Sequence, residues 1–364
     1  MDETVSKIIS YLNIGESPTV VSFPDDGAIH LYDVMCDLDQ DPQNYDSPYT
    51  FCYLSSQAIA EITTESIEKE IDREIALKTG GNLVDSLRSG FEIVVFMDDI
   101  ELHDDPYNTV FAIDTIIKKF KNRVKFVYLI ETPSIKLRFQ KKFHVAASIF
   151  DSTIYFKVGS WSQEQITKFV TGKTNTTVSV DLIEESSKLC NNHFGLLQRI
   201  IKDSIVGSDS LPRYLRYLLN NFTEGEILVF KKLLGNNRLD PKEQQIIADY
   251  TKVGFVENNR ITIPILEEYL KNLRIETKPG NPNFDINMEL FTIGERLLLR
   301  SMKEQGEISK EEIATIIWGA SIDEKYSEWA IEQRISRLRK KLKQLGYNFD
   351  VENSYNRGYR LVSA

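Results

Sequence analysis

The chain has 364 residues, of which 41% are apolar and 27% charged, and carries a formal net charge of −10. That length allows two or three domains with separate cores, and the composition is that of an ordinary soluble globular protein. The opening Met1-Asp2-Glu3-Thr4 is not a basic-then-apolar leader, and the longest apolar runs, such as Ile93–Met97, have strand length and are too short to span a bilayer. A cytoplasmic protein with no membrane segment is expected. Cys36, Cys52 and Cys190, like the four histidines, are scattered without metal-ligand or disulfide spacing, so neither a metal site nor a cofactor is expected.

In chain order, short apolar runs alternate with helical patterns. Candidate strands are Thr19–Phe23, Tyr49–Leu54, Glu92–Met97, Lys125–Ile130 and Thr153–Phe156, with helices at Glu65–Leu77 and Val110–Phe120 between them. This alternation predicts an α/β layer structure with a largely parallel sheet. After Trp161 the pattern turns helical, through Gln163–Val170, Asp181–Cys190 and Leu196–Ile205. Gly207–Ser210 and Glu276–Asn283 read as linkers. They divide the chain into an α/β part (1–160), a helical part (161–208), a small part (211–275), a linker (276–283) and a C-terminal part (284–364). In 211–275, helices at Glu224–Leu234 and Pro241–Tyr250 precede two short strands around Asn258-Asn259, a pattern that predicts a small winged helix-turn-helix.

Acid and base balance from Phe284 to Ala364, so the whole acidic excess lies in residues 1–283. Between Arg334 and Lys343 stand Arg334, Arg337, Arg339, Lys340, Lys341 and Lys343 with no acid among them. A local basic footprint, not the overall charge, decides whether a domain can meet nucleic acid. Thr292 with Glu295, and Ser309 with Glu312, have capping-box spacing. Ile331, Ile335, Leu338, Leu342 and Leu345 recur at helical spacing as one buried stripe. Gln333, Arg334, Ser336, Arg337, Arg339, Lys340, Lys341 and Lys343 project from other faces of that helix. Such a helix can enter the major groove, where arginine can donate two hydrogen bonds to guanine. Tyr355-Asn356-Arg357-Gly358 reads as a hairpin tip, with Asn356 and Gly358 suited to positive φ.

Phe291–Leu299, Ile308–Ile313 with Trp318-Gly319, Ile331–Leu342 and Gly358-Tyr359-Arg360 together resemble the effector domain of OmpR/PhoB-type response regulators along its full length. The resemblance implies a winged helix-turn-helix that binds double-stranded DNA, with Tyr355, Arg357 and Arg360 on the wing side. Because one such unit covers only a short site, useful specificity favours a homodimer or higher oligomer on half-sites about 10–11 bp apart. Where the family has threonine–valine–arginine–glycine in the wing, this chain has Asn353-Ser354-Tyr355-Asn356.

Residues 1–275 resemble an AAA+ or STAND-type ATPase core with a helical lid and a small winged helix. The resemblance rests on Thr19–Phe23 leading into Pro24–Leu31, on Phe91–Met97 ending in Asp98-Asp99, and on Trp161–Ile166 with Cys190–Leu197. A P-loop needs glycines, a lysine and a hydroxyl residue to hold phosphates and Mg²⁺. Gly27, Ala28, Ile29 and His30 stand there instead, beside Asp25 and Asp26, with Asp98 and Asp99 at the Walker B position. A degenerate nucleotide site and a pseudo-ATPase, not an enzyme, are the resulting expectations. A rival reading makes Asp25-Asp26, Asp98, Thr132 and Lys157 the acids, phospho-acceptor, hydroxyl and lysine of a modified receiver.

The combined fold expectation is an α/β parallel-sheet, degenerate P-loop ATPase-like domain with a helical lid, followed by two winged helix-turn-helix domains. The functional expectation is a sequence-specific DNA-binding transcriptional regulator with a sensory or oligomerisation module. The alternatives are an active ATPase switch, a receiver phosphorylated at Asp98, and a scaffold whose N-terminal module binds a protein partner.

Overall fold

A computed structural model describes residues 2–39, 49–55, 59, 62–98, 106–131, 133, 151–162, 164–168, 178–207, 210–273, 286, 291, 293–318, 328–354 and 358–363. Helix α1 (Asp2–Asn13) leads into β1 (Thr19–Val21), and a single 3₁₀ turn at Ala28–His30 runs on into α2 (Leu31–Asp39). Then come β2 (Tyr49–Ser55), α3 (Thr64–Thr79), α4 (Leu83–Arg88), β3 (Glu92–Asp98), α5 (Pro106–Lys119), β4 (Val124–Ile130) and β5 (Thr153–Tyr155). The five strands form one sheet in the order β2-β3-β4-β1-β5, and each neighbouring pair is parallel. β3 and β4 are buried along nearly their whole lengths. They therefore read in sequence as unbroken apolar runs and not as alternating ones. The one charge inside β4, Lys125, is compensated: its Nζ donates to the Leu12 carbonyl at 2.8 Å and to Glu92 Oε2 at 2.5 Å. α3 is closed by a Thr63–Ser66 capping box and buries Ile67, Ile71 and Ile75 at four-residue intervals.

The strand order decides between the two readings of the N-terminal part. A receiver of flavodoxin-like topology requires 2-1-3-4-5. Here β4 is inserted between β1 and β3 and β1 lies next to β5, so the modified receiver is excluded. Of its residues, Thr132 lies outside the described residues.

The helical part comprises residues 164–168, α6 (Val180–Cys190) and α7 (Phe194–Val206), followed by α8 (Leu211–Asn220). Beyond it are α9 (Glu224–Leu234), α10 (Pro241–Lys252), the strands β6 (Val256–Glu257) and β7 (Arg260–Ile261), and α11 (Pro264–Asn272). Asn258 and Asn259, both with positive φ, make the tight turn between β6 and β7. No break in the core marks the expected boundary at 208–211. Buried side chains from Val5 to Leu270 form one continuous cluster. Phe23, after β1, stacks on Phe255 at 4.4 Å, and Phe255 meets Phe222, Phe230 and Tyr250. The Val158 N–H donates to the Val253 carbonyl at 2.8 Å, a further tie across the same junction.

A second core gathers Ile286, Phe291, Ile308 and buried apolar residues from α12 (Ile293–Gln305), α13 (Lys310–Trp318), α14 (Glu328–Gln344) and the antiparallel pair β8 (Phe349–Ser354) and β9 (Gly358–Ser363). The Ser309–Glu312 capping box forms, with Ser309 N–H on Glu312 Oε2 at 2.9 Å and Glu312 N–H on Ser309 Oγ at 3.1 Å. Thr292 lies outside the described residues, and its expected partner Glu295 is buried against Lys341. Ile331, Ile335, Leu338 and Leu342 make the buried stripe of α14. Leu345 does not belong to it: the residue follows the helix end and is exposed. No described helix is long and apolar enough to cross a membrane.

Candidate functional site

Two places collect the residues singled out in the sequence. The first is the loop after β1, at the carboxyl edge of the sheet, where ligands of open α/β sheets bind. Gly27 has φ +75, and a Cβ there would come within 2.8 Å of Phe194 Cγ and 3.0 Å of Trp161 Nε1, so the loop can approach these rings only through glycine. Ala28 is buried; Ile29 lies in the 3₁₀ turn; His30 pairs with Asp33 at 2.9 Å and packs on the Phe194 ring. The loop is held from the helical part. Trp161 Nε1 donates to the Asp26 carbonyl at 2.9 Å, the Gly195 N–H to the Asp25 carbonyl at 3.0 Å, and the Tyr214 hydroxyl to the Asp25 carboxylate. The Asp25 N–H donates to Glu131 Oε2 at 3.1 Å, at the end of β4.

Asp26 is fully buried. Its Oδ1 accepts from the Phe194 N–H at 3.2 Å, and its Oδ2 has no hydrogen-bond partner. Burial first, and then the neighbouring Asp25 charge, raise its pKa well above the ordinary 3.8, against the lowering effect of the Phe194 N–H. His193, also buried, accepts the Leu196 N–H on Nδ1 at 3.1 Å. Nε2 must then carry the proton that it donates to the Pro24 carbonyl at 2.9 Å. Burial depresses the His193 pKa to about 4. Asp98 ends β3 and accepts from the Tyr53 hydroxyl, with β4 between it and the β1 loop; Asp99 lies outside the described residues. Residues 23–31 contain neither lysine nor serine nor threonine, so they do not fit the phosphate cradle of a P-loop. Among the described residues no cluster of three or more His, Cys, Asp or Glu is arranged to hold a metal ion. Tyr53 and Tyr214 carry no signal in the sequence, because single polar residues with partners 45 and 189 positions away leave no local pattern.

The second place is α14, whose bases the structure sorts into two groups. Arg339 Nε donates to the Val351 carbonyl at 2.5 Å, and the guanidinium lies near the Tyr359 ring. Lys341 Nζ meets the buried Glu295 carboxylate at 2.8 Å, and Arg334 approaches Gly294. Arg360 on β9 pairs with Glu352 at 3.2 Å. Arg339, Lys341 and Arg334 join the hairpin and α12 to α14, whereas the Arg360–Glu352 pair crosses between the two strands of the hairpin. Gln333, Ser336, Lys340 and Lys343 are exposed, Lys343 lying 3.6 Å from Asp350, and Arg337 is half-buried at the flank. Tyr355 and Arg357 lie outside the described residues.

No family model matches the chain, so the OmpR/PhoB-type resemblance rests on its residues, and no curated protein matches it either. Among solved structures, ORC1 of Aeropyrum pernix, in complex with DNA, is similar over 100% of this chain and 88% of its own, at TM-score 0.40 and 10% identity. Cdc6p of Pyrobaculum aerophilum is similar over 100% and 89%, at TM-score 0.38 and 13% identity. AMPPCP-bound DnaA of Aquifex aeolicus is similar over 94% and 89%, at TM-score 0.33 and 13% identity. At these values the likeness concerns the course of the chain and transfers no residue role. It does correct the expectation of a chain that is not an enzyme. One of these structures holds the ATP analogue AMPPCP, and the expectation is withdrawn.

Proposed function

We propose that this chain is a sequence-specific DNA-binding transcriptional regulator whose C-terminal unit is a winged helix-turn-helix, with α14 as the helix that enters the major groove. The observation that carries this reading is the sorting of α14: an apolar stripe is buried, the flanking bases are tied to the hairpin and to α12, and the face opposite the stripe presents Gln333, Ser336, Lys340 and Lys343. A merely solvated basic helix has no reason to separate its charges in this way. β8 and β9 supply the wing; Tyr355 and Arg357, which fall between them in the sequence, lie outside the described residues. One such unit covers a short site of about 600–1,000 Å², so useful specificity favours two copies on adjacent half-sites.

The test is a set of substitutions in the full chain. Lys340→Ala should weaken binding to all sequences alike and flatten the slope of log K against log salt by about 0.9, one phosphate contact, with the stability of the unit unchanged. Arg337→Ala should cost about 1–3 kcal/mol on the preferred site and relax sequence preference. Lys341→Ala should instead destabilise the unit by about 1–3 kcal/mol, because it strands the buried Glu295 carboxylate. Equal effects of all three on affinity and stability would remove the assignment of α14.

The strand order β2-β3-β4-β1-β5, with a six-residue loop from β1 to the turn that starts α2, favours a second reading in which the α/β part is a nucleotide-responsive ATPase-like switch on DNA affinity. Other groups than the P-loop lysine would then hold the phosphates. Titrating Mg·ATP into the DNA complex tests it: a change in affinity supports the switch, and an unchanged affinity removes it.

A further inference from the structure

Trp329, in the first turn of α14, is 63% exposed. The core does not explain it: the second cluster is closed by Ile331, Ile335, Leu338 and Leu342 from the same helix. At about 100° per residue, Gln333, Ser336, Lys340 and Lys343 all lie within about 40° of Trp329 around the helix axis. All five therefore share the face opposite the buried stripe. Along that face Trp329 and Lys340 are three turns, about 16 Å, apart.

The two ends of the face differ in charge. Lys340 and Lys343 occupy the end that can meet phosphate. Trp329 is flanked by Glu328, which pairs with Lys310 at 3.2 Å and so fixes the start of α14 against α13, and by the exposed Glu332. Two carboxylates beside an indole disfavour a phosphate neighbour, and base edges are what remains for this end. It is also the N-terminal turn, from which groove-reading helices contact bases. Indole offers a broad apolar surface, and the apolar group that the major groove presents is the 5-methyl of thymine. We infer that Trp329 is a specificity-determining residue that reads one thymine through its 5-methyl group.

This inference rests on the DNA-binding reading of α14, and its test separates the two. The full chain is used to select sites from a random-sequence duplex pool, and each thymine of the selected site is replaced in turn by deoxyuridine, which removes the methyl and keeps the pairing. One position should lose about fourfold in affinity, the worth of one buried methyl. Trp329→Ala should bind more weakly and be indifferent to deoxyuridine at that position, and Trp329→Phe should retain part of the response. Tight binding with no deoxyuridine-sensitive position, or a Trp329→Ala protein as sensitive as the parent, would overturn the role of Trp329 and leave α14 as the reader. Failure to select any site would overturn both.

Discussion

Replacing Gly358 by alanine is expected to unfold the C-terminal unit and abolish DNA binding, while the sheet-bearing part stays folded. Gly358 opens β9 at φ +130, a conformation that L residues rarely adopt. A Cβ there would run into the Ile308 carbonyl oxygen and stand 2.7 Å from both Ile308 C and Ser309 Cα. These are backbone atoms, so no rotamer change relieves the clash. The segment they belong to is fixed twice: Ile308 and Tyr359 exchange hydrogen bonds at 2.9 and 2.8 Å, and the Ser309 capping box starts α13 immediately afterwards. Relief therefore means losing the bridge that joins the hairpin to the helices. Backbone strain together with this overpacking belongs to the class of substitutions costing more than about 4 kcal/mol. A unit of roughly eighty residues holds only about 4–12 kcal/mol in all. Gly306 serves as the control, having φ +79 but nothing within 4 Å of an added Cβ, so Gly306→Ala should cost only about 1–2 kcal/mol. Hydrogen exchange of the α14 amides in the full chain reads both effects. Protection in the Gly358→Ala protein equal to that in Gly306→Ala would contradict the argument.

What could be read in advance follows from the range over which each signal acts. β3, β4 and α14 carry their own patterns, unbroken apolar for the strands and four-residue spacing for the helix, and the expected spans differ from the observed ones by a few residues at the ends. α2 is only nine residues long, and its short pattern assigns it no span in the sequence. Strand order has no local signature at all. The alternation of strands and helices is the same in a receiver as in this sheet, and only pairing across the fold puts β4 beside β1. On α14, periodicity separates apolar from polar positions, but it cannot say which polar positions meet another element. Lys341 and Lys340 are adjacent and chemically identical; one is tied to Glu295 forty-six residues away and the other faces solvent. The same limit hid the fastening of the β1 loop, since Trp161, Phe194 and Tyr214 reach it from more than 130 residues further along the chain.

That fastening gives the sheet-bearing part a pH dependence that two substitutions should take apart. Burial disfavours the Asp26 carboxylate and raises its folded pKa well above the 3.8 of the unfolded chain. As pH rises past 3.8 the unfolded chain releases this proton and the folded chain keeps it. Stability then falls by about 1.4 kcal/mol per pH unit until the folded pKa is reached. His193 has the opposite sign. Its folded pKa is about 4 against an ordinary 6.5, so the unfolded chain takes up a proton as pH falls through that window and the folded chain does not. The stability present above pH 6.5 is lost towards pH 4, by about 3 kcal/mol. Between about 4 and the folded pKa of Asp26 the two slopes oppose each other. Asp26→Asn keeps an acceptor for the Phe194 N–H and removes the titration. Relative to the parent, it should gain stability with rising pH, from near pH 4 up to the folded pKa of Asp26. Within the 4–6.5 window it should also lay bare the rise in stability with pH that His193 contributes. His193→Gln should show the reverse, a stability that falls across the same window. The global opening free energy from hydrogen exchange at β3 and β4 amides, followed from pH 4 to 8 in the full chain, measures each curve. Parallel curves for the parent and Asp26→Asn would mean that Asp26 ionises in the folded protein, and that the loop after β1 is open to water where this structure closes it under Trp161 and Phe194.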